Sequence, residues 1–277
     1  MKKTIPPLKS NYKIILLIFF VVITAVTGII GLSRKISKPQ NTLYVKIKLS
    51  QGLWWSGNGN PPIWLAKSIN SGDFEKDLFG NEIATVISRT YYPSEPLKYP
   101  NQYEVYITAK LAAQKDRGSD KYRYKRGSLA VGSPISIDLN TATVTGSIME
   151  ISSDEIKPND VLKKITLFNQ YGYYTDSPKE FESIAINDEY SDGRNVVFKV
   201  TKKYLGPRLV AFSDNYGKQA INQIKVNQNI YVDAEIMVKE VNGMYFFGEE
   251  QRVVPGANLN ILTNTQDFTK YTVVSVN

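Results

Sequence analysis

Seven side chains have the type and spacing to recognise a ligand. Trp54, Trp55 and Trp64 fall within eleven residues of one another in a Gly-, Asn- and Pro-rich stretch. Exposed together, they would suit stacking on sugar rings, a membrane interface or a protein hot spot. Packed, they would plug the end of a β barrel. Lys121, Arg123, Lys125 and Arg126 close a basic loop over 115–126, with Tyr122 and Tyr124 interleaved. On a strand, Lys121, Arg123 and Lys125 share one face and the tyrosines the other. That face could meet lipid headgroups, an anionic wall polymer or an acidic partner. The plainer alternative is a solvated hairpin with its tyrosines tucked in.

Catalytic chemistry is narrowed by two absences. The 277 residues include no Cys and no His. That excludes thiolate nucleophiles, disulfides, zinc–thiolate sites, Ser-His-Asp triads and imidazole bases. Asp73, Glu75 and Asp77 alternate around Phe74 and Lys76. They lack the register and distal bidentate Glu of a calcium hand. Asp154-Glu155 and Asp188-Glu189 fall in linker or turn contexts. A glycosidase-type pair of carboxylates would meet in space rather than in sequence, so a carboxylate-dependent hydrolase stays as an alternative. No phosphate loop or GxGxxG is present. The reading is non-enzymatic, with no catalytic residue, cofactor or metal. Nucleic acid is not an expected partner: four of the 34 basic residues lie in the first 13, so half of the +8 net charge belongs to that tail.

The elements that would hold these residues are strands. Leu43, Val45, Ile47 and Leu49 alternate with polar residues, as do Tyr103, Val105, Ile107, Ala109 and Leu111. β-branched and aromatic residues dominate, and turns recur at short intervals. Ile63 to Ile69 suits a short helix, and so does Asn215 to Lys225 through Ala220, Ile221 and Ile224. The second half repeats the plan of the first. LKKITLF (162–168) matches LYVKIKL (43–49), Tyr173-Tyr174 falls where Trp54-Trp55 fell, and Ile184 to Asn187 corresponds to Lys67 to Asn70. Ile230 to Val238 alternates as Tyr103 to Leu111 does, then runs into the hairpin turn Asn242-Gly243. The sequence therefore predicts a mostly β chain: two tandem barrel- or sandwich-like repeats, 43–151 and 160–277, joined at 152–159. One larger β domain without internal symmetry is the alternative.

Ahead of them, Ile14 to Leu32 is nineteen residues with no charge, and only Thr24 and Thr27 are polar. As a helix it would be about 28 Å long, close to the ~30 Å hydrocarbon core of a bilayer. Lys2, Lys3, Lys9 and Lys13 precede it, and Arg34, Lys35 and Lys38 follow. The balance favours a cytoplasmic tail (1–13), a single-pass transmembrane helix (14–32), a linker (33–42) and an extracytoplasmic remainder. A cleaved signal peptide ending near Gly31-Leu32-Ser33 and a buried core helix are the competing readings. Thr24/Gly28 and Thr27/Gly31 have the small-residue spacing of a self-associating span, so a homo-oligomer is allowed.

The pattern Ile69-x-x-Gly72-Asp73, then Gly80-x-x-Ile83-Ala84-x-Val86, resembles bacterial single-pass membrane proteins carrying an extracytoplasmic β domain. It is similar, more distantly, to the barrel-sandwich modules of membrane-fusion adaptor proteins. The likeness covers fewer than twenty residues. The second half departs from it, with Asn187-Asp188 in place of Gly-Asp, and the adaptor's helical hairpin has no counterpart. The resemblance implies a binding or scaffolding role in the cell envelope, with a protein or envelope-polymer partner. It implies no catalytic residue.

Overall fold

Two antiparallel sheets follow one another along the chain, and each closes on its own core. The computed structural model describes residues 16–24, 27, 41–50, 59–94, 101–116, 118, 120–169, 177–213 and 219–277, with backbone alone over 177–178, 207–213 and 219–228. Residues 16–24 and Thr27 are helical, and Leu16 to Ile23 are 42–67% exposed. Among the described residues no helix is long and apolar enough to cross a membrane. The span expected over 14–32 lies partly outside those residues.

The N-terminal sheet comprises β1 (Asn41–Leu49), β2 (Phe74–Lys76), β3 (Glu82–Pro93), β4 (Tyr103–Lys115), β7 (Pro134–Asp138) and β8 (Thr143–Ser152), in the order β2-β3-β4-β1-β8-β7. The small strands β5 (Tyr122–Tyr124) and β6 (Gly127–Leu129) extend from β4. The short helix α1 (Ile63–Ser68) lies between β1 and β2. Leu43, Val45, Ile47 and Leu49 are buried, as period-2 alternation demands of a strand with one covered face. The ends of the sheet meet: Asn140 donates its N–H to the Phe74 carbonyl at 2.9 Å, and its side chain accepts from Phe74 N–H at 2.9 Å. The result is nearly a closed barrel.

The C-terminal sheet repeats this connectivity with β9 (Asp160–Asn169), β10 (Glu189–Ser191), β11 (Val196–Ser213), β12 (Gln219–Val241) and β15 (Tyr271–Val276). β9 pairs with β12 and β15, as β1 pairs with β4 and β8. β13 (Met244–Phe247) and β14 (Gln251–Arg252) extend from β12 as β5 and β6 do from β4. Helix α2 (Ser177–Ser183) occupies the place of α1.

Irregularities repeat as well as strands. The ladder slips between Val86 and Ser88 in β3 and between Val200 and Lys202 in β11. It slips at Lys46/Ile47 against β8, and at Val273/Ser275 against β9. A third slip, at Glu75/Lys76, recurs at Tyr190/Ser191. Bulges are specific features of a fold, so three matched bulges say more than matched strands. Gly72 (φ 91) and Asn187 (φ 66) both turn left-handed and donate to Val86 and Val200. Asn tolerates that region better than any branched side chain.

Three expectations are corrected. The match of LYVKIKL to LKKITLF slips by one residue: Val45 and Ile165 sit opposite the equivalent Ala109 and Ala234. A one-residue shift exchanges the two faces of a strand, which is why Leu162 is 54% exposed while Leu43 is buried. Ile184 corresponds to Ile69 rather than to Lys67. Both are buried, and Lys203 holds the Phe181 and Ile184 carbonyls as Arg89 holds those of Ala66 and Ile69. Finally, of the helix expected over 215–225, residues 215–218 lie outside the described residues and residues 219–225 are strand. Residues 208–213 run opposite them, and a ready antiparallel ladder overrides weak helical spacing.

Candidate functional site at the junction of the sheets

The residues singled out from sequence do not form one surface among the described residues. Trp54 and Trp55 lie outside those residues. Trp64, on α1, is 64% exposed and borders a shallow hollow with Leu49, Thr143, Val144 and Thr145. In the basic loop, Arg123 pairs with Asp116 at 2.8 Å and Lys115 with Asp120 at 2.9 Å. Lys125 binds Glu75 and, at 3.1 Å, Asp138. Tyr124 is buried and donates to Glu75. Lys121 and Arg126 are exposed. Much of the loop's positive charge is thus met by carboxylates of the loop itself and of β2 and β7. Asp138 stands across from Thr143, so Lys125 and Trp64 flank the same β7–β8 hairpin.

The three acids around Phe74 go separate ways. Asp73 accepts the Thr141 hydroxyl at 2.6 Å and the Asn70 N–H at 2.7 Å. Glu75 turns to Tyr124, Lys125 and the Asp138 N–H. Asp77 holds a turn. Its carboxyl lies below the usual range because Asn81, first by side chain and then by backbone, donates to it. Asp188, the counterpart of Asp73, is held by the hydroxyls of Thr263 and Thr265.

The densest polar constellation lies where the sheets meet. Tyr92 and Tyr106 stand on the N-terminal sheet yet belong to the core of the C-terminal one. Tyr92 donates its hydroxyl to Asp192 at 3.1 Å, and Tyr190 donates to the Tyr91 carbonyl at 2.7 Å. The Tyr91 N–H donates to the Asp192 carbonyl at 3.0 Å. Glu249 accepts from both Lys46 and Lys239, Glu250 from Lys48 at 2.6 Å, and Asp160 from Arg194 at 2.6 Å. Of these, Lys46, Lys239, Glu249, Asp160 and Arg194 line a cleft of about 200 Å³.

Burial sets the protonation of this junction. It lifts the Tyr92 and Tyr106 phenols well above their usual range, with Asp192 adding to the first and Glu104 to the second. Burial also raises the Glu104 carboxyl, opposed by Lys48 and reinforced by Glu250. Glu249 and Asp160 each face a cation, which suits a structural lock better than proton transfer. Among the described residues no group of three His, Cys, Asp or Glu side chains is placed to hold a metal ion.

Sequence reasoning missed the junction. Its only local signals are the Asp192-Gly193 turn and the Glu249-Glu250 pair after a hairpin. No family model, curated protein or solved structure matches the chain.

Proposed function

We propose that this protein is a single-pass, membrane-anchored module that presents its two β sheets outside the cytoplasmic membrane and serves as a non-enzymatic binding or scaffolding component of the cell envelope. The observation that carries the reading is the first helix. Its apolar side chains from Leu16 to Ile23 stand exposed. Its polar side chains are satisfied internally: Thr24 Oγ1 donates to the Phe20 and Val21 carbonyls, and Thr27 Oγ1 to the Ile23 carbonyl at 2.7 Å. A helix that closes its own hydrogen bonds and offers only hydrocarbon outward suits a bilayer. The non-enzymatic part is supported by the lack of His and Cys and by the pairing of the junction's carboxylates with lysine and arginine.

Fractionation tests the anchor. The full chain is expected in the pellet after alkaline carbonate extraction of membranes, and a variant lacking 14–32 in the supernatant. Full-length chain in the supernatant would overturn the reading. A second reading, binding of a wall polymer, is favoured by the exposed Trp64 beside its hollow. It requires that Trp64→Ala abolish retention on isolated cell-wall polymer.

A further inference from the structure

The C-terminal sheet seats two turns on the N-terminal sheet. One is the Asp192 turn, against Tyr91 and Tyr92. The other is the β13–β14 turn, whose Glu249 and Glu250 meet Lys46 and Lys48. Both turns have counterparts in the N-terminal sheet. Asp77 accepts the N–H groups of Phe79 and Asn81, as Asp192 accepts those of Arg194 and Asn195. The turn it fixes presents Leu78 at 101% exposure and Phe79 at 69%. The β5–β6 turn places Lys125 (φ 53) where Gly248 (φ 65) stands, and the exposed Arg126 where Glu249 stands.

The receiving surface recurs in part. Along the matched strands, Tyr91 corresponds to Leu205, Tyr106 to Tyr231, Lys48 to Phe168 and Thr108 to Asp233, while Tyr92 gives way to Gly206, beneath the Tyr231 ring, and Lys46 to Thr166. Tyr231 stacks on Phe168 at 6.2 Å and on Tyr204 at 5.4 Å, all three half-buried, and Leu205 is 44% exposed. The filled surface is basic and receives acids. Its counterpart is aromatic with a carboxylate at Asp233, and the turns that would fill it are apolar at Leu78 and Phe79 and basic at Arg126, Lys125 being held by Glu75 and Asp138. Character changes on both sides together, which is the complementarity a real contact needs.

We propose that the Leu78–Phe79 and Lys125–Arg126 turns of one chain dock on the Phe168, Tyr204, Leu205 and Tyr231 face of a second copy, repeating between chains the junction that exists within each. Such a contact is head-to-tail, so it builds rings or open filaments rather than a two-fold dimer. It extends the scaffolding reading by naming a partner, and it stands on the fold independently of the membrane anchor.

The absence of native Cys makes the test clean. Full-length L78C and L205C are made as separate chains, placed in the same membranes and oxidised; Leu78 stands where Gly193 meets Tyr91. A mixed L78C–L205C disulfide dimer is expected. R126E should reduce its yield at least tenfold, and adding D233R to the partner should restore it. The proposal is overturned if no mixed product forms while the 31.2 kDa chain sediments as a monomer. It is equally overturned if only L78C–L78C dimers form, or if a fluorophore at L78C is quenched by lipid-borne quenchers. Release by alkaline carbonate with the mixed dimer intact would sink the anchor alone.

Discussion

Tyr92 and Asp192 lie a hundred positions apart in sequence and meet at 3.1 Å across the junction. Asp192 is fully buried, and its other oxygen accepts the N–H groups of Arg194 and Asn195 at 2.8 Å each. The Tyr92 ring stands edge-on to Phe247 at 5.2 Å and packs against Tyr106 at 6.4 Å. One residue of the first sheet therefore supplies both apolar surface and a hydrogen bond to the second.

Removing only the hydroxyl separates those contributions. Tyr92→Phe is expected to cost about 1.5–3 kcal/mol, the range for a hydrogen bond to a charged group. Tyr92→Ala also leaves a cavity and is expected to cost about 3–5 kcal/mol. Urea unfolding of the full chain in detergent micelles checks both values.

Gly193 tests the closeness of the contact. Its φ is 92, and a methyl group there would overlap the Tyr91 ring and press on the Arg89 guanidinium. Gly193→Ala is expected to destabilise the chain by about 1–3 kcal/mol through overpacking. Gly72→Ala, with a similar φ but open space around it, isolates the backbone cost alone and should be the milder change.

Glu249 is 12% exposed and serves two lysines, Lys46 and Lys239. Glu249→Ala leaves both cations facing each other without their carboxylate. A cost of about 1–3 kcal/mol is expected, below the fully buried case because the lysines retain water. A double-mutant cycle with Lys46→Ala should give a coupling energy above about 0.5 kcal/mol.

Alkaline pH should unfold both sheets sharply. Burial raises the phenols of Tyr92, Tyr106, Tyr124, Tyr190 and Tyr271 above their ordinary value of 10.0. A group with its folded pKa raised contributes stability below its unfolded pKa and loses it as pH climbs toward the folded one. Each buried phenol then removes up to about 1.4 kcal/mol per pH unit. Melting temperature should be flat through neutrality and fall steeply above pH 10, with tyrosinate absorbance rising in the same step. Carbonate extraction therefore reports on the anchor rather than on folded sheets clinging to the membrane.

The strands were legible because one covered face imposes period 2, as Leu43 to Leu49 and Tyr103 to Leu111 show. The repeated plan was legible from the order of those strands. Register was not: terminal leucines at 43 and 162 suggested an alignment that burial shifts by one. The junction was illegible for a related reason. Alternation assigns Tyr106 to an outer face, and the bulge between Val86 and Ser88, which period 2 cannot foresee, turns Tyr92 to the same side; only the second sheet, far along the chain, turns that face into an interior. Trp64 and the basic loop drew attention by composition, and Tyr124 was consumed by packing.

The most direct test of an anchored chain with its sheets outside is labelling of single cysteines by a membrane-impermeant maleimide in intact spheroplasts. Ser128→Cys, on the exposed edge of β6, should be labelled before lysis, and Lys3→Cys only afterwards. Labelling of Lys3→Cys with protection of Ser128→Cys in intact cells would contradict the proposed arrangement.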